Sequence, residues 1–451
     1  MTNVIVLPST VASDNDPVGT YNQLDRGSDR GSAAWQNNTI LRHCDQVFVT
    51  WQSFDPTTSQ YSVWVGAVQY GTNIWRSRVM LAVPAGYVMD NHGYASIIAD
   101  KSGFLHLLYG PHNAPMLEAV STSPWDASAF HPPAIVPTAP WNDTTYSSVA
   151  RDSAGTLHFL YRGRNSANEW RLIYQRGTTN ATTGATTWGA PAVLASTANG
   201  ASNTTGYSLY DGTIAVSDRF GVHSIHVAFQ LYDQVSIAAH AWGYLRSDDG
   251  GNTWKDSHGT AVTLPVDHST SSSAHLVESS ASIDVRIGNI AISPFGNPWI
   301  SVVYVTPSPT GYDTKLWHLL GGSWSTVSLS PYMSVFGPSW RVAGATIAFD
   351  AQGFLYVAAE RVDANSSGPT PWFASPSKEI VLLVTPIQSL SFQLYPISPI
   401  DPTRPHWLAS IERPTTSGSI SIPSLLYTDG SDTANSNGQA TDIVWVPLYK
   451  Y

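Results

Sequence analysis

The sequence predicts an all-β fold, a seven-bladed β-propeller forming a single domain over 1–451. Three observations predict it. No stretch shows the period of an amphipathic helix; apolar residues alternate in short runs bounded by Gly, Pro, Asn and Asp. One strand–turn–strand unit recurs along the chain. And SDDGGNTW (247–254) matches the Asp-box turn S-x-D-x-G-x-x-W, a structural hairpin of many propellers.

Taken in order, the first blade is expected over about 40–82, from the alternating runs QVFVTWQ (46–52) and YSVWVGAVQY (61–70). The repeat follows as IIADKSGFLHLLYG (97–110) and SVARDSAGTLHFLYRG (148–163). Weaker copies are IAVSDRFGVHSIHVAFQ (214–230), IAISPFGNPWISVVY (290–304) and IAFDAQGFLYVAAE (347–360). Each copy is an apolar strand, a D-x-x-G-type turn and a second apolar strand. The turn recurs at Asp100, Asp152, Asp218, Ser293 and Asp350, with spacings of 52, 66, 75 and 57 residues, enough for one four-stranded blade plus a loop. The seventh blade is expected over about 390–448, closed by the N-terminal strand NVIVLP.

Composition narrows the function. Of 451 residues, 42% are hydrophobic and 12% charged, which excludes a disordered chain. Lys plus Arg is 22 against 32 Asp plus Glu, a net charge of −10, so no nucleic-acid partner is expected. No apolar run reaches the roughly 18–20 residues of a membrane helix. A lone Cys44 permits no internal disulfide, which by itself points to a reducing compartment. Five N-x-[ST] sequons, at Asn37, Asn142, Asn180, Asn203 and Asn365, argue the other way. With scarce Lys and abundant Ser, Thr, Gly and Pro, they lead to the expectation of a secreted, fungal, monomeric protein, although MTNVIVLPST is no signal peptide.

The repeat also separates scaffold from site. His106, His158 and His226 share one blade position, where other blades place Trp299 and Tyr356, so they read as packed scaffold. His92 and His112 break the pattern. One precedes the inner strand of the second blade and the other follows its second strand. Antiparallel neighbours bring those two ends to one rim. Tyr146 opens the inner strand of the next blade and Arg162 ends its second strand, at the same rim. Asp211, Arg286, Trp340 and Arg341, near inner-strand starts of other blades, are further candidates for binding sugar hydroxyls or a second carboxylate.

The run DNHGYASIIADKSGFLHLLYGPHNAPM resembles the signature blade of the BNR-repeat propeller lyases, a group with ulvan lyases and fungal rhamnose–glucuronate lyases. The shared pattern is Asp-x-His, a D-x-x-G turn, and Gly-x-His-Asn about twenty residues on. A Thr-Tyr pair and a Tyr-Arg pair follow, here Thr145-Tyr146 and Tyr161-Arg162. The close match covers 90–163, and Ser147 stands where the family usually has proline. The resemblance implies β-elimination at a uronate linked through O4. That chemistry needs a cation to neutralise the carboxylate, a base for the C5 proton and an acid for the departing O4. Arg162 suits the carboxylate, being always charged and able to bind it bidentately. His112 is the first choice of base. Tyr146 would be the acid, or base and acid together, and His92 would hold the carboxylate or tune the base. No cofactor is required for this chemistry, and the resemblance allows a structural calcium in the central tunnel. The expected partner is an acidic polysaccharide; the expected substrate is rhamnose α-1,4-linked to glucuronate, as in gum arabic, giving free rhamnose and a 4,5-unsaturated uronate.

Rival readings fit less well. A glycosidase needs two placed carboxylates, which the signature blades do not offer, and the Arg-Ile-Pro of sialidases is absent. A propeller lectin would repeat its site in each blade. An ulvan-type endo-lyase remains the near alternative. For metal catalysis, His223 and His226 point to opposite faces of a strand, His43-Cys44-Asp45 is too compact to form a site alone, and no HExxH or CxxC occurs.

Overall fold

A computed structural model describes residues 4–6, 9–10, 35–55, 60–70, 75–90, 92–110, 112, 114–166, 169–196, 207–219, 222–233, 238–268, 275–279, 284–305, 312–365, 377–401, 405–414, 422–430 and 441–450. The alternating runs become seven antiparallel sheets whose inner strands surround one axis. From inside outward, the first blade is Ile40–His43, Gln46–Asp55, Gln60–Gln69 and Trp75–Met80, and the second Ala95–Ala99, Leu105–Tyr109, Leu117–Val120 and Ala134–Ile135. The third is Asp143–Arg151, Leu157–Arg164, Trp170–Thr179 and Thr186–Trp188, with Ala192–Ser196 also paired to its third strand. The fourth to sixth begin with Tyr207–Arg219, Asp284–Ile292 and Trp340–Phe349.

The ends differ from expectation. Gln393–Pro396 is the outer strand of the sixth blade, so the seventh starts only at His406–Ile411, followed by Leu425–Asp429 and Asp442–Val446. Its fourth strand is Ser9–Thr10, paired with Val444 and Trp445. The apolar Val4–Val6 of NVIVLP pairs separately with Leu448–Lys450. The N-terminus therefore does close the ring, through the residues just after the run the sequence suggested.

Seven apolar clusters each join neighbouring blades, the last uniting Ile40, Val47 and Trp51 of the first blade with Leu426, Ile443 and Trp445 of the seventh. The D-x-x-G turns are held by the aspartate itself. Asp100 Oδ1 accepts from Ser102 N at 2.8 Å and Phe104 N at 2.9 Å, and Asp350 does the same for Gln352 and Phe354. Gly103 and Gly353 take φ of 94° and 85°, which only glycine adopts without strain. In the Asp-box, Asp249 Oδ1 accepts from Asn252 N and Thr253 N, and Trp254 is buried between the third and fourth blades.

Two features position the site. The inner strands of the third to seventh blades share an irregularity near their starts, between Thr145/Ser148, Leu209/Asp211, Ile287/Ile290, Val342/Ala345 and Trp407/Ser410. And Trp35–Asn38 runs buried along the axis. Trp35 Nε1 donates to Glu360, Asn37 Nδ2 to Ser96 and Ser147, and Asn38 Nδ2 to Val149 O, while Arg413 donates to carbonyls of Trp35 and Gln36. The sequon at Asn37 is thereby enclosed; those at Asn142, Asn180 and Asn365 are exposed, and Asn203 lies outside the described residues.

Candidate active site

In the second blade Ala95 pairs with Tyr109, so the residues just beyond each meet at one rim. His112, at φ 69°, turns back there and stacks on His92, ring centroids 4.3 Å apart. Asp90 sits between them: its Oδ2 faces His112 Nδ1 at 2.6 Å and its Oδ1 faces His92 Nδ1 at 3.2 Å. Burial works to raise the Asp90 pKa, but hydrogen bonds from His112 and His92 outweigh it and hold the carboxyl well below the usual range. With Nδ1–H given to Asp90, His112 presents the lone pair of Nε2 outward.

The third blade brings the cation and the phenol. Thr145 pairs with Arg162, and Tyr146 follows in the irregular step of the strand at φ 55°. A bulky residue at that φ is a conformational outlier, held here in the irregular step of the strand. Its ring is 5.9 Å from that of His92. The Arg162 guanidinium lies 4.6 Å over Tyr146 and 3.9 Å over Trp170, and its Nη2 is 3.5 Å from His112 Nε2. His92, His112, Tyr146 and Arg162 thus lie together at one rim, where antiparallel pairing was expected to bring them. Ser147, the departure from the family pattern, donates to Leu108 O and accepts from Asn37 Nδ2, bonds a proline could not make.

The fourth and fifth blades extend the group. Tyr210 Oη lies 3.3 Å from Tyr146 Oη, and Arg286 lies 4.5 Å over the Tyr210 ring and 3.6 Å from Asp284. Asp211 is only 2% exposed, with Gln36 donating to its Oδ2 from the axis. Burial pushes its carboxyl up to about 7 despite Arg286, Arg162 and Gln36. It lies beneath the site, out of reach of a sugar hydroxyl, which corrects its expected role. Trp340 and Arg341 do not join the group either. Trp340 stacks with Phe336 and Arg361, and Arg341 donates to the carbonyls of Pro338 and Trp340.

The scaffold histidines stay scaffold: His106 pairs with Glu118, His158 with Tyr174 and Asp152, and His226 with Tyr244, all buried. Burial brings His226 down to about 3. His223, on the strand of His226, faces Asp218 of the neighbouring strand and is partly exposed.

Three functional neighbours escaped the sequence reading. Asp90 is in the Asp-x-His signature and could have been named from it. Tyr210 occupies the same irregular step as Tyr146, one blade on, visible only with the strand register. Trp170 carries no sequence signal.

Asp90, His92 and His112 approach closely enough to surround a metal ion. Both Asp90 oxygens are already engaged by imidazoles, and the Arg162 guanidinium stands beside His112 Nε2, which opposes a second cation. On the axis, Gln36 Oε1, Asn37 Oδ1 and Asp211 Oδ1 are buried without a hydrogen-bond partner among the described residues. Amide and carboxylate oxygens are what calcium takes, so this set fits the structural ion the resemblance allows. A cavity of about 40 Å³ further along the axis is lined by Arg151, Arg413 and mostly apolar side chains and suits no cation.

The family described as BNR repeat-containing matches residues 46–330. No curated protein matches the chain. Among solved structures, an ulvan lyase of polysaccharide lyase family PL25, bound to GlcA(1-4)Rha3S, superposes with a TM-score of 0.67 at 13% identity over 93% of each chain. Polysaccharide lyase Uly1 superposes at 0.54 and 14% identity, over 96% of this chain and 94% of its own. At such identities the likeness is one of fold.

Proposed function

The chain belongs to the BNR repeat-containing family, and from that premise we propose that its single propeller domain is a secreted polysaccharide lyase cleaving a uronate by β-elimination. The observation that carries the reading is the contact between Arg162, His112 and Tyr146 at one rim. A uronate carboxylate bound by Arg162 places C5 one bond from the neutralised group, beside the His112 Nε2 lone pair. His112 takes the C5 proton as the C4=C5 bond forms. Tyr146 gives its proton to O4 as the C4–O4 bond breaks, or serves as both base and acid, since in glucuronate both groups lie on one face of the ring. His92 steadies the carboxylate. The axial oxygens of Gln36, Asn37 and Asp211 would hold a calcium ion, which when bound supplies charge to the buried Asp211 and ties the axial segment to the fourth blade.

The proposed substrate is glucuronate carrying α-1,4-linked rhamnose, supported by the resemblance in residues 90–163. An ulvan-type substrate is the second reading, supported by the lyase fold neighbour bound to GlcA(1-4)Rha3S. A glycosidase is disfavoured because Asp211, whose carboxyl is raised toward neutrality, is buried. The test is ultraviolet absorbance of the conjugated C4=C5 uronate with gum arabic and, separately, with ulvan. A rise on gum arabic with free rhamnose, abolished by His112→Ala and Tyr146→Phe, is expected. A rise on ulvan alone corrects the substrate, and no rise on any uronate polymer overturns the lyase.

A further inference from the structure

We propose that Tyr210 and Arg286 are positioning residues of this site, a hydrogen-bonded and charged support that keeps the Tyr146 phenolic proton mobile; the inference rests on the elimination proposed above. A free phenol ionises near a pKa of roughly 10, so at neutral pH an unaided tyrosine is a poor proton acceptor. Two things favour the phenolate: a hydrogen bond to its oxygen and a cation close by. Tyr210 Oη, 3.3 Å from Tyr146 Oη, supplies the first. A hydroxyl is donor and acceptor at once, so Tyr210 accepts from the Tyr146 phenol and turns to donate to the phenolate.

Arg162, 4.6 Å over the Tyr146 ring, offers a cation to the empty site, but a bound uronate carboxylate takes up that charge. Arg286 is different. It is mostly buried, lies 4.5 Å over Tyr210, a ring that Arg162 also reaches at 5.4 Å, and is fixed 3.6 Å from Asp284, a pairing independent of substrate. Its charge therefore persists when substrate binds. The groups facing Tyr146 are His92, Tyr94, Arg162 and Tyr210, and behind Tyr210 stand Arg286, Asp211 and Asp284. Attraction to the acidic groups around it is why Arg286 holds its proton: burial lowers its pKa, and Tyr210, Asp284, Asp211 and Tyr146 together raise it past its ordinary value.

The repeat supplies a control. The first residue of the irregular inner-strand step is Tyr146 in the third blade and Tyr210 in the fourth, but Gly288, Ala343 and Leu408 in the next three. A second phenol is not demanded by the scaffold. It occurs only in the blade beside Tyr146, oxygen toward oxygen. In the reaction the C5–H electron pair becomes the C4=C5 bond and the C4–O4 pair leaves with O4. The proton passes from C5 to O4, and Tyr210 ends as it began.

The test reads Tyr146 directly. Tyrosinate absorbance is titrated in the full chain, and the difference between wild type and Tyr146→Phe isolates the Tyr146 transition. Burial by itself pushes a phenol up, so that transition is expected below those of the equally buried tyrosines that lack such partners. In Tyr210→Phe and Arg286→Met it should move up by about one pH unit or more, and Arg286→Lys should recover part of the shift. The pH profile of kcat should move with it on any polymer the wild type cleaves, while KM changes little. Transitions that coincide in wild type, Tyr210→Phe and Arg286→Met overturn the inference. Because the titration needs no substrate, it gives its answer even if no uronate polymer is cleaved, a result that would defeat the lyase reading alone.

Discussion

Replacing Asp90 by asparagine asks whether His112 is the base, and the hydrogen bonds decide how the new side chain must sit. Asp90 Oδ1 accepts from the backbone N–H of His92 at 2.8 Å, and Oδ2 faces His112 Nδ1 at 2.6 Å. An asparagine has one acceptor oxygen. The backbone N–H cannot reverse its polarity, so the oxygen stays at the Oδ1 position and the amide NH₂ faces His112. His112 Nδ1 must then accept, which moves its proton to Nε2, beside the Arg162 guanidinium at 3.5 Å. The outward lone pair is lost. A general base contributes about 10²–10⁴ in rate, so turnover should fall by that factor, about 3–5 kcal/mol of transition-state stabilisation. The assay is the initial rate of C4=C5 absorbance at saturating substrate, with Asp90→Asn compared to wild type and to Asp90→Ala. Since Asp90 is about a third exposed, thermal unfolding should hardly change, which separates the effect from damage to the fold. An Asp90→Asn protein keeping more than about a tenth of wild-type turnover would show that the His112 tautomer is not what sets the rate, against the roughly hundredfold minimum a lost base implies.

Three other outcomes follow from the same geometry. Arg162→Lys keeps the charge but loses the fork for the carboxylate and the stacking over Trp170 and Tyr146, so kcat/KM should fall by about a hundredfold or more; near-wild-type values would mean that charge alone suffices. Asp211 is raised to about 7 in the fold from an ordinary 3.8, so its contribution to stability is full below about pH 4 and is lost as pH rises through about 7, on the order of 4 kcal/mol. In chelator, denaturant midpoints between about pH 5 and pH 8 should fall in wild type and flatten in Asp211→Asn; an unchanged slope in the variant would assign the effect elsewhere. A Cβ at Gly344 would lie 2.1 Å from the Trp35 ring, which is tied to Glu360, so Gly344→Ala should destabilise by about 1–3 kcal/mol in a denaturant melt, whereas an unchanged midpoint would mean the axial segment can shift.

The fold was legible because a propeller writes its period into the chain. Asp100 and Asp350 each accept two backbone N–H groups, so their turns keep the same residue types and the repeat survives in the sequence. The closing strand was misplaced by a few residues because Ser9–Thr10 is a two-residue strand with no alternation to read, while the apolar Val4–Val6 beside it pairs elsewhere. At the site, His92, His112, Tyr146 and Arg162 were legible because antiparallel pairing alone sends strand starts and ends to one rim. The same argument placed Trp340 and Arg341 at a rim but could not say across which blades a rim residue reaches. Asp211 was misread because burial is set by the axial segment 35–38, whose course no local pattern announces.

The irregular inner-strand step explains how one repeated scaffold carries a single site. Leu408 in the seventh blade takes φ 52°, nearly the 55° of Tyr146, so that backbone is not peculiar to the blade carrying the polar groups. Leu408 packs there against Trp35 of the axial segment and Trp407. The side chain at that step decides what each blade presents. Apolar or absent side chains at Gly288, Ala343 and Leu408 leave three blades silent. Phenols at Tyr146 and Tyr210 make two adjacent blades polar, and the second blade adds its histidines from loops just outside the strands. The group is thus local to three neighbouring blades and one charged residue of the next, Arg286, which is why a fold of near-equivalent units presents one candidate site and not seven.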